Sequence, residues 1–174
     1  MPPTLTLQQL NRATLARQLL LEREKISVVE AVERLGGMQA QEAKPPFIGL
    51  WARLENFDPE DLREALHARE LVRASMMRAT LHLMGAADYA ALRSTLQPVM
   101  TDAMRALGAR AKGLDLDQVL PAARKLLEKG PRDFNELRAL LAEQFPHVND
   151  RALGYGVRMN LPLAMVPTLS LIHI

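Results

Sequence analysis

Two glutamines separated by one residue are the side chains of this sequence from which chemistry can be argued. Gln39 and Gln41 stand in the run "RLGGMQAQEAKPP", residues 34–46. An uncharged amide is a poor acid and a poor base, but each one offers a carbonyl acceptor and two N–H donors. A pair of such amides can hold a water molecule in a fixed orientation, or grip a base edge or a phosphate. The alternative is that both side chains cap the ends of neighbouring helices.

The backbone around the two glutamines determines whether they can act together. A helix is predicted to begin at Ser27, where "SVVE" has the form of a capping box. It is predicted to end at Gly36 and Gly37, since glycine is favoured just beyond a helix C-terminus. The following "MQAQ" should then be extended, and residues i and i+2 of an extended segment point the same way. We therefore expect the amides of Gln39 and Gln41 to lie side by side.

The composition excludes several other kinds of site. The chain has no cysteine, which excludes disulfides and thiolate metal ligands and suits the reducing cytoplasm. Its four histidines have no HxH or HExxH spacing, so we expect no metal site. The run "LGGM" lacks the strand, the lysine and the Ser/Thr of a phosphate-binding loop. No Ser/His/Asp set is recognisable, and no cofactor is expected.

Length and charge are those of an ordinary globular protein. The 174 residues are 48% hydrophobic and 24% charged, which suits one domain or two small ones. No apolar run approaches the roughly 20 residues of a membrane helix, and the N-terminus does not resemble a signal peptide. We therefore expect no membrane partner. The formal charge of +2 and the pI near 9.2 are compatible with nucleic-acid binding without requiring it.

The first half of the chain has the order of elements found in a winged helix. Leucines in "LTLQQLNRATLARQLLLE" can gather on one side of a first helix. A third helix is predicted from the prolines at 45–46, with Trp51 in the core as part of an i, i+3, i+4, i+7 stripe. A fourth is predicted after Asp58 as N-cap. The segment "LVRASMMRATLHLM", residues 71–84, then predicts two short strands and a tight turn.

The second half repeats the helical part of that pattern. An amphipathic segment from residue 88 should be kinked or divided at Pro98, and "GARAKGLDLD", residues 108–117, predicts a boundary. Three helices follow, one over "LDQVLPAARKLLEKG", one capped by Asp133 and one from about Asn149 to Asn160, and then "LPLAMVP" as the first strand of a second wing. The predicted fold is mainly α with small β wings, in tandem winged-helix modules. The modules are 1–108, which includes a connecting helix, and 109–168.

The last six residues, "LSLIHI", need a separate explanation. They are a literal translation of CTG TCT CTT ATA CAC ATC, a transposon mosaic-end adapter used in sequencing libraries. We expect residues 169–174 to be adapter translation, with the reading frame cut in the middle of the second wing. A native gene that encoded "LSLIHI" followed by a stop codon would contradict this expectation. A chain cut at this point would end on an unpaired strand edge, and loss of activity through truncation stays open.

The longest runs of the first half resemble a known family. "RLGGMQAQEAKPPFIGLWARLENFDPEDL", together with the later "LVRASMMRATLHLM", is similar to the winged-helix DNA glycosylases of the AlkZ/YcaQ-like family. The similarity runs from about residue 5 to 168, the N-terminal part of a longer family chain. The family signature is glutamine, an apolar residue and glutamine, or aspartate in place of the second glutamine. Gln39-Ala40-Gln41 matches the first version, whereas Ala79 departs from the glycine that relatives often have in the hairpin turn.

This resemblance implies a bacterial-type DNA repair enzyme. Members of the family hydrolyse the N-glycosidic bond of alkylated bases, including bulky and crosslinked adducts. Gln39 and Gln41 would then be the catalytic residues. A purine alkylated at N7 or N3 is already a good leaving group, so the enzyme has only to place water beneath the anomeric carbon. The partner would be double-stranded DNA with alkylated bases, bound by a monomer in the nucleoid of the cytoplasm.

Contacts with DNA would come from basic residues near the glutamines. The candidate nucleic-acid-binding side chains are Lys44, Arg53, Arg73, Arg78 and His82. Phosphate contacts of this kind position a protein on a duplex without selecting a sequence. The alternatives are solvated surface arginines and a structural histidine.

A second class of function is a non-catalytic winged-helix DNA-binding protein or transcription regulator. In such a protein the two amides would contact base edges and no bond would break. The helix predicted at residues 47–54 is largely apolar, which argues against a recognition helix there. A protein of the same fold that has lost catalysis is a third alternative.

Overall fold

The computed structural model describes residues 4–167, and the adapter-like residues 169–174 lie outside this range. The chain forms two compact units. The first is built mainly from Met1–Ala74 and Leu81–Ala90, and the second from Ser75–Thr80 and Ala91–Val166. The predicted module bounds, 1–108 and 109–168, stay a prediction. No helix among residues 4–167 is long and apolar enough to cross a membrane.

The first unit has the chain order two helices, strand, two helices and β hairpin. Its elements are α1 (Leu7–Arg17), α2 (Val28–Arg34), β1 (Met38–Gln39), α3 (Pro45–Trp51), α4 (Pro59–His67), β2 (Leu71–Ser75) and β3 (Leu81–Gly85). The strands lie in the order β1–β3–β2. Strand β1 is antiparallel to β3, with Met38 opposite Leu83 and Gln39 opposite His82. This is a winged helix, and the predicted fold class is confirmed.

Local signals explain where the helices of this unit begin and end. The Ser27 hydroxyl accepts a hydrogen bond from the Glu30 N–H, and Asp58 accepts one from the Glu60 N–H. Gly36 and Gly37, which follow α2, have φ of +67° and +102°, a region that glycine enters without strain. The chain then turns directly into β1. The predicted starts of α2 and α4 are confirmed.

The core of the first unit lies between α2, α3, α4 and the sheet. Twelve buried side chains form it: Leu19, Val28, Ala31, Val32, Ala40, Leu50, Leu54, Leu62, Ala65, Leu66, Leu71 and Leu83. Helix α1 contributes no buried residue. Ala40 belongs to this core although it lies between the two glutamines, so the glutamine segment is attached directly to the packed interior.

The prediction that Trp51 lies in the core is wrong. Its side chain is 56% exposed, and the Arg23 guanidinium lies 4.5 Å from the ring centroid. Helix α3 has only seven residues, and Pro46 and Leu50 supply its buried side. Trp51 therefore ends the helix on the solvent side, where a cation–π contact covers part of the indole ring.

The second unit contains three longer helices followed by a short strand. Its elements are α6 (Gln97–Ala103), α7 (Leu116–Glu128), α8 (Phe134–Gln144), α9 (Asp150–Asn160) and β4 (Ala164–Met165), while α5 (Ala86–Leu92) precedes them in the chain. The break before Pro98, the cap at Asp133 and the helix from about Asn149 to Asn160 are as predicted. The C-terminal end of α9 is held by Arg93, which is 6% exposed and donates to the carbonyls of Met159 and Leu161.

Candidate active site

The segment carrying the two glutamines alternates between solvent and core. Gln39 ends strand β1 and is exposed, Ala40 is 1% exposed, and Gln41 is exposed again. The backbone N–H of Ala40 donates to the Leu81 carbonyl at 2.8 Å, which continues the contact with β3 beyond the end of β1. The predicted extended conformation is found at Met38 and Gln39, which form β1, whereas the chain bends after Ala40. Both glutamine side chains are on the solvent side, and Ala40 points into the core.

Hydrogen bonding fixes the orientation of the Gln41 amide. Its Oε1 accepts a hydrogen bond from the backbone N–H of Leu81 at 3.2 Å. Only the carbonyl oxygen of an amide can accept from an N–H donor, so this bond distinguishes the oxygen from the nitrogen. The second lone pair of Oε1 and the two N–H donors of Nε2 are the groups of Gln41 that a further ligand can use.

Arg73 lies beneath the same segment. Its Nε donates to the Ala40 carbonyl at 2.7 Å and its Nη2 donates to the Gln41 carbonyl at 2.9 Å. The side chain is only 7% exposed. Burial lowers the pKa of the guanidinium below its usual range, and the charge of Glu42 acts in the opposite direction. The glutamine segment is therefore bonded to Arg73 on β2 and to Leu81 on β3.

Two of the five predicted DNA contacts are not at the surface. Arg73 is 7% exposed and His82 is 3% exposed. A phosphate contact requires an accessible cation, so we remove both residues from the candidate DNA contacts. The reason is the same for each of them. Both lie in strands that are covered on both faces, since Arg73 and its neighbour Ala74 are buried in β2 and His82 and its neighbour Leu83 are buried in β3.

The other three predicted contacts differ in how exposed their side chains are. Lys44 precedes α3 and Arg78 lies in the 3₁₀ turn Met77–Ala79 of the hairpin, and both are exposed. Arg53 is half-buried, and its Nε and Nη1 donate to the carbonyls of Gln18 and Gly49, each at 2.8 Å. Lys44 and Arg78 are therefore the predicted cations that the surface presents most directly.

The exposed face of α4 is acidic. Glu60, Asp61 and Glu64 are exposed on this helix, and the cation beside them, Arg63, lies 2.9 Å from the Glu60 carboxylate. The two acids in the first turn interact favourably with the helix dipole, as predicted for charges at a helix start. A face with this charge repels phosphate groups.

Among residues 4–167, no group of three or more His, Cys, Asp or Glu side chains is arranged to hold a metal ion. The chemistry that the glutamine segment itself offers is hydrogen bonding by neutral amides, held on a backbone with little freedom. Such groups orient a water molecule or a polar ligand rather than exchange protons with it.

Comparison with known proteins identifies the family. A model of the "DNA glycosylase AlkZ-like" family matches residues 32–171, which include both glutamines. The chain belongs to the AlkZ-like DNA glycosylase family. No curated protein matches the chain.

The fold is also similar to that of a solved AlkZ-like enzyme. Streptomyces sahachiroi DNA glycosylase AlkZ superposes with a TM-score of 0.73 at 22% sequence identity. The match covers 89% of this chain and 44% of that one. This AlkZ-like chain therefore spans less than half the length of the solved protein, and the likeness shows the fold.

Sequence reasoning missed the positions of Leu81 and Arg73 in this AlkZ-like site. A signal for Arg73 was present in "LVRAS", where Leu71, Arg73 and Ser75 are each two residues apart and therefore share one side of the strand. All three residues are buried in the structure. An arginine in phase with a buried leucine in a strand indicates a structural cation rather than a surface one. No sequence pattern indicated that the Leu81 N–H would bond to the Gln41 side chain.

Proposed function

We propose that this AlkZ-like chain is a monofunctional DNA glycosylase that hydrolyses the N-glycosidic bond of alkylated, cationic purines in double-stranded DNA. Gln39 and Gln41 position the attacking water. The observation that carries this proposal is the alternation at residues 39–41, where two exposed amides flank a buried alanine on an anchored segment. Membership of a family of DNA glycosylases supports the reaction class.

The reaction needs little acid or base strength from the protein. In an N7- or N3-alkylated purine the base already carries a positive charge. The C1′–N bond breaks with both electrons going to the base, which leaves it neutral, and the sugar develops oxocarbenium character. The water oxygen then bonds to C1′ and its proton passes to solvent. A base lesion that lacks the positive charge would leave far more slowly, so amides suit cationic lesions.

Glutamine oxygen atoms have a second use in this reaction. A side-chain carbonyl carries partial negative charge, and facing the developing oxocarbenium it stabilises the transition state more than the ground state. For Gln41 one lone pair is already engaged by the Leu81 N–H. Its remaining lone pair and its Nε2 donors are available for water, while Gln39 supplies the second amide of the pair.

Lys44 and Arg78 are the proposed phosphate contacts. Both are exposed basic residues. Contacts with phosphates position a duplex without selecting its sequence, which suits an enzyme that must find damage anywhere. Bulky and crosslinked adducts as substrates, action as a monomer and a location in the bacterial nucleoid belong to the same proposal, through the family resemblance.

The charge of α4 favours an enzyme over a regulator. In a winged helix the helix preceding the hairpin is the natural candidate to enter the major groove, where a recognition helix needs donors and positive charge. Here that helix exposes Glu60, Asp61 and Glu64. Insertion of this face between two phosphate backbones would be opposed by like charge. If α4 does not enter the major groove, the exposed amides have no recognition helix to assist in contacting base edges. A role in a reaction explains them better.

A single-turnover assay tests the proposal. Full-length protein is incubated with duplex DNA carrying N7-methylguanine, and base release is followed for the unchanged protein, Gln39→Ala and Gln41→Ala. We expect each variant to lose about 100-fold or more in rate, as when a positioning group is removed, with DNA affinity retained. Gln118→Ala is the matched control, because Gln118 is an exposed glutamine in α7 of the second unit and should leave the rate unchanged.

Tight DNA binding without base release from either small or bulky cationic lesions would overturn the proposal and favour the regulator. Release that is equally fast in both glutamine variants would keep the enzyme class but remove these two residues from its mechanism.

A further inference from the structure

We propose that Arg73 is a positioning residue of the glycosylase site, whose buried guanidinium sets the direction in which the amide of Gln41 points. This inference deepens the proposed function and rests on it. Arg73 touches neither DNA nor water in this role. It acts through the backbone carbonyls of Ala40 and Gln41, to which it donates at 2.7 Å and 2.9 Å.

The geometry of the two bonds is informative. In a regular strand, successive carbonyls point in opposite directions along the hydrogen-bonding axis of the sheet. One planar guanidinium can reach both Ala40 O and Gln41 O only if the backbone turns between them. Strand β1 ends at Gln39 and the chain bends after Ala40. The rigid fork of arginine donors therefore fixes where the extended segment ends and at what angle Gln41 leaves it.

The bonds from β3 complete this arrangement. Leu81 accepts from the Ala40 N–H at 2.8 Å through its carbonyl, and its own N–H donates to Gln41 Oε1 at 3.2 Å. The second of these bonds forms only if the Gln41 backbone holds its side chain over β3. The Arg73 bond to the Gln41 carbonyl holds that backbone, so the side-chain bond depends on Arg73.

The cost of placing a cation here supports a role for it. Arg73 is 7% exposed, and its Nη1 has no hydrogen-bond partner among residues 4–167. A buried charge without a directly bonded carboxylate is expensive, and an apolar residue would fill a strand position at lower cost. What an apolar side chain cannot supply is a pair of donors to two successive carbonyls. A lysine cannot reproduce these two bonds either, because its ammonium is a compact point charge and lacks the planar fork of donors that a guanidinium has.

Arg93 provides a matched control within the same chain. It is also buried, at 6% exposed, and its Nη2 also donates to backbone carbonyls, those of Met159 and Leu161. All of these residues belong to the second unit, whereas Arg73, Ala40 and Gln41 belong to the first. Substitution of Arg93 therefore removes the same kind of interaction without touching the glutamine segment.

The experiment compares Arg73→Lys and Arg73→Gln with Arg93→Lys and Arg93→Gln in full-length protein. Single-turnover base release from N7-methylguanine duplex, DNA affinity and thermal stability are measured for each. We expect both Arg73 variants to release base about 100-fold more slowly, the size of effect that a misplaced catalytic group produces, with unchanged DNA affinity. The Arg93 variants should lose comparable stability and keep the rate. Arg73→Lys decides the matter if Arg73→Gln does not fold.

A second readout does not depend on activity. Hydrogen exchange of the Leu81 amide reports its bond to Gln41, and we expect protection in the unchanged protein and its loss in the Arg73 variants alone. Free exchange of Leu81 in the unchanged protein would overturn the inference, as would folded Arg73 variants that keep both the protection and the rate. If the unchanged protein releases no base from any cationic lesion, the proposed function fails. Exchange at Leu81 then still decides whether Arg73 positions the segment.

Discussion

At the scale of single residues, Ala40 makes the two glutamines a pair. Its methyl group is 1% exposed and belongs to the core of the first unit. Burial of this middle residue attaches the segment to the core, and the glutamines on either side of it are both exposed. The size of the alanine side chain therefore determines how far both amides lie from the core, although the methyl group takes no part in the reaction.

The size of this residue can be tested without removing either amide. We expect Ala40→Leu to destabilise the fold by about 1–3 kcal/mol, because extra methylenes in a packed core force their surroundings to move. The larger side chain should also displace both glutamines away from the core. The rate of base release should therefore fall by much more than the loss of stability explains. Denaturant unfolding and the single-turnover rate, measured below the unfolding transition, check the two effects.

Ala31→Leu is the control for this substitution. Ala31 is 0% exposed in α2 and belongs to the same core. Ala31→Leu should lower the free energy of unfolding by a similar amount and leave the rate of base release by the folded protein nearly unchanged. Equal rate losses in the two variants would mean that general loosening, rather than displacement of the amides, accounts for the effect.

What the sequence reveals about single residues depends on how local the cause is. The strand at Met38 and Gln39 followed from the two glycines before it, which is a local signal, whereas nothing local indicated the bend after Ala40. The burial of Arg73 and His82 did not follow, because alternation along a strand does not reveal that both of its faces are covered. The polar character of both side chains suggested an exposed face.

At the scale of elements, the hairpin turn is under strain. Arg78 and Ala79 have φ of +56° and +57°, a conformation that costs a residue with a Cβ atom about 1–2 kcal/mol. The sequence comparison with relatives had already marked Ala79 as a place where glycine is usual. The structure gives the physical reason for that preference, since glycine enters this region freely.

Replacing Ala79 should therefore stabilise the protein. We expect Ala79→Gly to raise the free energy of unfolding by about 0.5–1 kcal/mol, the relief of strain less the greater freedom of glycine in the unfolded chain. Urea denaturation measures the change. Ala139→Gly is the opposite case, because Ala139 is exposed inside α8 and the same substitution there should destabilise by about 1 kcal/mol. A loss of stability in Ala79→Gly would contradict the strain.

Helix ends were predictable and helix faces were less so. The caps at Ser27, Asp58, Asp133 and Asn149 each satisfy a nearby backbone N–H, so the signal and its effect lie within one turn. The face of α3 was different. A seven-residue helix has room for one or two buried positions, and tertiary packing chose Pro46 and Leu50 over Trp51. Apolar periodicity could not make that choice.

At the scale of the whole molecule, the formal charge of +2 is small for the proposed action on DNA. Affinity would then depend on a few well-placed cations rather than on the total charge. Arg53 donates to two carbonyls and Arg63 pairs with Glu60. Lys44 and Arg78 are the exposed residues to which we assign the proposed contact.

The salt dependence of DNA binding measures this. We expect Lys44→Gln to reduce the slope of log Kd against log salt concentration by about 0.9, the value for one lost phosphate contact on duplex DNA. Arg34→Gln should leave the slope unchanged, because Arg34 is exposed but lies 3.9 Å from Glu24 and 3.8 Å from Glu30. Titrations by fluorescence anisotropy at several salt concentrations provide both slopes. Equal slopes for Lys44→Gln and the unchanged protein would remove Lys44 from the interface.

The overall architecture was predictable because its order is encoded in short segments. Helix signals followed by a hairpin predicted a winged helix, and helix signals followed by an apolar stretch predicted the three helices and the short strand near the end of the described residues. The way in which the chain divides into two compact units could not be predicted from such short segments. The hairpin turn Ser75–Thr80 is grouped with the second unit, although both of its strands begin or end in the first. Long-range packing of this kind leaves no local pattern in a sequence.

The exposed indole of Trp51 gives the protein an optical label of its own. It is the single tryptophan of the chain, and it stands in the first unit at the end of the helix that follows the glutamines. In the 174-residue chain its fluorescence therefore comes from that unit alone, while far-ultraviolet circular dichroism reports the helices of both units. Unfolding of the first unit removes the Arg23 guanidinium from the ring, so a variant of Gln39, Ala40, Gln41 or Arg73 in this chain can be checked for a folded first unit by its tryptophan emission, with no dye attached.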